Sequence, residues 1–142
     1  MPLPTLRLPA ALLSLAALAA CGPPAPSPFD GTFWRASELD GAAVSGAEVG
    51  GAPAVELAFT AGGAYAATGG CNRIAGQAEI GAARMRFPAP AASTARACMP
   101  GLEARDRTLA QVLSRTRAYR RDGQRLALLD ANGRVIARFD EF

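Results

Sequence analysis

The sequence predicts a mainly β domain: about eight short antiparallel strands closed into a small barrel, with one amphipathic helix before the last three. Three observations carry that expectation. Short runs alternate apolar and polar residues at period two, as strands with one buried face do. Asp122-Gly123 and Asn132-Gly133 are hairpin dipeptides that suit the primed turns matching strand twist. A single segment, Pro100 to about Arg117, has helical period instead. Hairpin-linked strands favour closure, which removes exposed edges.

Taken in order, "FWRASEL" (Phe33–Leu39) reads as the first strand, and "VELAF" puts Val55, Leu57 and Phe59 on one face against Glu56. Ala61-Gly62-Gly63 turns the chain into "AYAAT". Asn72 to Ile80 reads as one further strand, ending near Gly81. "RMRF" sets Met85 and Phe87 opposite Arg84 and Arg86. In the helix, Leu102, Leu109, Val112, Leu113 and Thr116 form a stripe opposite Glu103, Arg107, Gln111 and Arg115, with Pro100 suited to the first helical position. "RLALLD" and "RVIARF" complete the set. A barrel of this size is filled by its own side chains or holds one small ligand, and the many alanines fit either case.

The chain opens differently. Arg7 precedes an apolar run, Leu8–Ala20, shorter than the roughly 17–25 residues of a spanning helix and suited to the core of a secretory signal. Leu18-Ala19-Ala20-Cys21 resembles a bacterial lipobox, which implies cleavage before Cys21 and acylation of that cysteine. Each buried methylene contributes about 0.8 kcal/mol, so a multiply acylated Cys21 anchors a domain without any spanning segment. Gly22, where aspartate would favour inner-membrane retention, points to the outer membrane, facing the periplasm. "GPPAPSP" then reads as a tether, reaching roughly 20 Å in extended polyproline geometry. The expected organisation is a signal peptide over 1–20, lipidated Cys21 and tether over 21–28, and one domain over 29–142.

Composition narrows the functions. The 142 residues carry fifteen arginines, no lysine and no histidine, against twelve acidic residues, for a net charge of +3. So slight an excess does not argue for nucleic acid. The missing histidine removes the commonest general base and metal ligand. Enzyme activity is not expected, nor is a cofactor.

"GTFWRASELDG", "GGCNRIAGQ", "STARAC" ahead of the helix, and "YRRDGQRLALLDANGRVIARF" together resemble the META domain of HslJ-like heat-shock lipoproteins, over about Gly31 to Phe139. Ser93, Thr94, Ala97 and Cys98 match a family segment in which Arg96 stands where methionine is usual. The resemblance implies a lipocalin-like β-barrel with a helix, in envelope proteins linked to stress and antibiotic tolerance, with no catalytic mechanism.

Cys71 and Cys98 admit three readings. A metal site would lack histidine and a third thiolate. A redox pair would lack Cys-x-x-Cys spacing, with only Arg73 and Arg96 nearby to activate a thiolate. The favoured reading is a structural disulfide, closing a loop of roughly 28 residues worth about 3.5 kcal/mol in the chain-entropy treatment. Gly69-Gly70 lacks the lysine and following helix of a phosphate loop, so a bend with Asn72 bonding local backbone is expected. Ser93 and Thr94 have no histidine or lysine to activate them. Glu56, Glu79 and Asp106 are scattered on expected outer faces, and the sequence alone argues no pairing among the carboxylates. Arg117, Arg120 and Arg121 are candidates for contact with an anionic surface, beside the simpler reading of a solvated helix end. Trp34, Phe59, Phe87 and Phe139 read as core. The functional expectation is a non-catalytic envelope lipoprotein whose partners are the membrane, through its anchor, and either a small apolar ligand in the barrel or an envelope protein at the surface.

Overall fold

The computed structural model describes residues 22–23, 25–44, 53–89 and 92–142. The expected signal peptide, Cys21 and part of the tether lie outside these residues. The strands are β1 (Phe33–Leu39), β2 (Ala42–Ala43), β3 (Glu56–Phe59), β4 (Ala64–Thr68), β5 (Arg73–Gln77), β6 (Glu79–Ile80), β7 (Met85–Arg86), β8 (Ala92–Ser93), β9 (Ala118–Asp122), β10 (Arg125–Leu129) and β11 (Val135–Glu141). The helix, α1 (Leu102–Arg115), precedes the last three.

The expected barrel is not formed. The main sheet is antiparallel and runs β8-β5-β4-β3-β1-β11-β10-β9, with β2 added to β1, and its two end strands do not pair. Closure fails for two reasons. β8 pairs β5 over only Ile74↔Ser93 and Ala75↔Ala92, after which the chain runs on toward α1. At the other edge, β9 and the residue before it are met by residues 83–85, which lead into β7: Tyr119 N–H donates to Ala83 O and Met85 N–H to Arg117 O. That segment belongs to a separate β6–β7 hairpin, which is not part of the main sheet.

Strand alternation follows side-chain chemistry. Trp34 and Ala36, Leu57 and Phe59, Tyr65 and Ala67, Leu126 and Leu128, and Ala137 and Phe139 face the core, and α1 adds Leu109, Val112 and Leu113. Met85 and Phe87 are buried, while Arg84 and Arg86 are exposed. Asn72 to Ile80 is two strands, because Ala78 leaves the ladder to donate its N–H to Gly63 O at 2.9 Å. The helix begins at Leu102; Pro100 precedes a left-handed Gly101 (φ 90°) at the N-cap. Thr116 is buried as expected but is the residue after the helix, its hydroxyl donating to Val112 O.

The chain enters the domain at Phe29, which is fully buried. Its ring lies 5.1 Å from Phe59 and 5.0 Å, edge-on, from Tyr119. Thr32 Oγ donates to Phe29 O and accepts from the Trp34 indole N–H, closing a short chain of bonds beneath β1.

Candidate functional site

The expected bend is present at residues 69–72, and it also forms an anion cradle that the protein itself fills. Gly70 (φ 118°) turns the loop after β4 so that its backbone N–H groups converge. Asp106, from the first half of α1, points its carboxylate into them. Gly69 N–H donates to Oδ1 at 2.9 Å and Asn72 N–H to Oδ2 at 2.7 Å, with Cys71 N–H longer at 3.5 Å. Glycine is required at 69, where a Cβ would stand 2.5 Å from Asp106 Oδ1 and 2.6 Å from its backbone nitrogen. Asp106 is therefore not a solvated outer-face carboxylate.

Asn72 ties the same loop to the segment before the helix. Its side-chain oxygen accepts from Arg96 N–H (2.9 Å) and Thr94 Oγ (3.1 Å), and its amide nitrogen lies 3.4 Å from Cys98 Sγ. Arg73 N–H donates to Thr94 Oγ, and the Arg96 guanidinium to Cys71 O. Cys71 and Cys98 are joined by a disulfide, with Cα atoms 5.8 Å apart. The donor atoms of Cys71, Cys98 and Asp106 lie within 4.8 Å of one another, yet the sulfurs are bonded together and the carboxylate is engaged by N–H groups. Ser93 and Thr94 are exposed, and Thr94 serves as a bridge.

A second cradle repeats the device. Gly62 and Gly63 (φ 69° and 80°) donate to the Asp30 carboxylate at 3.1 and 3.3 Å, and Ser27 N–H adds a bond at 3.0 Å. These backbone donors, Ser27 first and then Gly62, hold the Asp30 carboxyl below its ordinary range.

The three candidate arginines separate. Arg117 donates to Ser114 O and Thr116 O, so it closes the helix end. Arg121 donates to Pro28 O (2.8 Å), pairs with Glu141 (2.8 Å) and lies 5.0 Å over the Trp34 ring. Arg120 alone of the three makes no such bond among the described residues, and it lines a basin of about 400 Å³ with Arg125, Arg138, Asp122 and Asp140. On the helix side, a groove of about 370 Å³ past Asn72, Thr94, Arg96 and Arg107 adjoins an apolar cleft of about 130 Å³ formed by Tyr65, Ile74, Phe87 and Leu113. Trp34, Phe59 and Phe139 fill the interior with Phe29 and Met85. A ligand inside a barrel thus loses its premise, since the sheet does not close and these side chains occupy its inner face.

The family profile described as META domain matches residues 27–141. No curated protein is matched. Among solved structures, an NMR structure of a protein superposes with a TM-score of 0.60 at 17% identity, covering 79% of this chain and 90% of the other. A second NMR structure, of a protein from Burkholderia xenovorans, gives 0.59 at 25% identity and covers 95% and 99%.

Proposed function

Because this chain belongs to the META-domain family, we propose that it is a lipid-anchored protein of the bacterial cell envelope, of the HslJ-like kind. Its role is non-catalytic: it supports stress or antibiotic tolerance by contacts made at its surface. The observation that carries this reading is the cross-linked, carboxylate-filled "GGCN" loop. It locks the family's most recognisable stretch to the helix and to the 92–99 segment, and such a bridge suits an oxidising compartment outside the cytoplasm. The lipobox-like Leu18–Cys21 supplies the anchor, and the proline-rich residues after it supply the tether.

The chain has neither histidine nor lysine, and its best-placed carboxylates, Asp30 and Asp106, are held by backbone donors rather than presented to a substrate. That supports contact over catalysis.

Fractionation tests the anchor. The wild-type chain should require detergent for release from membranes, and Cys21→Ala should move to the periplasmic fraction. A strain lacking the gene should regain tolerance from the wild-type copy and not from Cys21→Ala. Wild-type protein freed by osmotic shock alone would overturn the reading.

A further inference from the structure

The side of the main sheet turned away from the core carries a row of charges that alternate in sign across the strands. Cross-strand register places Asp122 beside Arg125, Arg125 beside Asp140, Asp140 beside Arg35, and Arg35 beside Glu56. The sequence of signs is minus, plus, minus, plus, minus, one residue from each of β9, β10, β11, β1 and β3. Residues directly opposite in a ladder share a face, and the neighbours of these five along their strands (Trp34, Leu57, Leu126, Phe139) are buried on the other face.

A parallel row nearer the start of β1 is apolar. Phe33 registers with Ala58, Ala58 with Ala66, and Ala66 with Ala75. Phe142 joins Phe33 through its N–H, which donates to Phe33 O, and through ring centroids 6.3 Å apart. Phe33 and Phe142 are 50% and 57% exposed, two of three large hydrophobic side chains so exposed among the described residues. An antiparallel sheet normally leaves a polar face to water; here the two phenylalanines interrupt it at one place.

We propose that this face binds a second copy of the same chain, sheet on sheet, about a two-fold axis running along the strands between β1 and β11. The occupant follows from the charge order. A row of alternating signs offers no net attraction to a uniformly charged surface, whereas a two-fold rotation about an axis between β1 and β11 sets Arg125, Asp140, Arg35 and Glu56 each against an opposite charge and leaves Asp122 over Thr68 of β4. With the axis between β1 and β11, Asp140 faces Arg35 of the second copy, Arg125 faces its Glu56, and Phe33 faces its Phe142. Such an interface is isologous, each contact occurring twice, and packed sheets lie about 10 Å apart with strands nearly aligned.

The ion pairs within the chain leave the central group open. Arg35 is paired to Glu56 (3.1 Å) and Arg125 to Asp122 (3.2 Å), while Asp140, between them, has no ion pair among the described residues. A rotation axis along the strands also keeps both chains' entry points, before Phe33, at the same end. That geometry lets two tethered copies stand on one membrane, a point that rests on the anchored reading; the association itself does not.

The test uses sedimentation velocity of the whole chain in a density-matched non-ionic detergent, up to about 0.5 mM. Wild type should pass from monomer to dimer with rising concentration, and high salt should reverse it. Arg35→Asp and Asp140→Arg should each weaken self-association at least tenfold, since each sets like charges opposite. An equimolar mixture of these two variants should dimerise, because each supplies the charge the other lacks. Asp140→Asn, which breaks no pair within the chain, should weaken the wild-type dimer at least threefold. A wild type that stays monomeric overturns the proposal. So does a mixture that fails to associate, or an Asp140→Asn dimer as tight as wild type.

Discussion

Replacing Asp106 with asparagine removes the charge from the loop cradle while keeping the side chain's size. Two of its bonds are good, from Gly69 N–H at 2.9 Å and Asn72 N–H at 2.7 Å, and the Cys71 contact at 3.5 Å is marginal. A hydrogen bond to a charged group contributes about 1.5–3 kcal/mol net. Asp106 is only half-buried, which places each good bond near the low end, about 3 kcal/mol for the two together. Asparagine retains one acceptor oxygen and turns an NH₂ toward the remaining donors. The expected loss is therefore about 2 kcal/mol, rising to about 3 kcal/mol for Asp106→Ala. Against a typical stability of about 5–15 kcal/mol this is large, and with a urea slope of about 2 kcal/mol/M it lowers the Asn variant's midpoint by about 1 M. Trp34, the single tryptophan and fully buried, reports the transition by fluorescence with the disulfide left intact. An Asn variant within about 0.5 kcal/mol of wild type would show that the cradle is not held by the carboxylate's charge, and the reasoning would fail.

Two further outcomes follow from the cross-links. Thiol titration of denatured, unreduced protein should find neither Cys71 nor Cys98 free, and reduction should lower stability by about 3.5 kcal/mol in the chain-entropy treatment; two reactive thiols would contradict the bridge. Asp30, with its folded pKa below the unfolded value, contributes stability that is complete above the ordinary carboxylate range, about pH 3.9, and lost as pH falls through the folded value. Thermal melts from pH 6 to pH 2 should show that acid-dependent loss in wild type and a smaller one in Asp30→Asn; equal slopes would remove Asp30 from the account.

Local features were legible in the sequence and long-range closure was not. Asp122-Gly123 and Asn132-Gly133 announced the two C-terminal hairpins, where Gly123 and Gly133 take φ of 57° and 76°. The helical stripe of Leu102, Leu109, Val112 and Leu113 was equally plain. Closure of the sheet depends on which strand ends meet, and nothing in the alternation of β9 says that residues 83–85 will cover its edge. The break at Ala78 was hidden because an alanine continues either strand or bend. A helical wheel puts Asp106 beside polar residues, so its engagement with the loop is not legible from the period of the helix. Gly69-Gly70 marks a loop whose backbone N–H groups can converge on an anion, but which anion fills it is set by where α1 packs.

The way the chain enters the domain has a mechanical consequence. Any pull applied upstream of Phe29 arrives at a fully buried ring, wedged against Phe59 and Tyr119, with Asp30 fastened to Gly62 and Gly63 and Pro28 O held by Arg121. Load is thus shared at once between the aromatic core, the turn before β4 and strand β9, instead of peeling one strand from its neighbour.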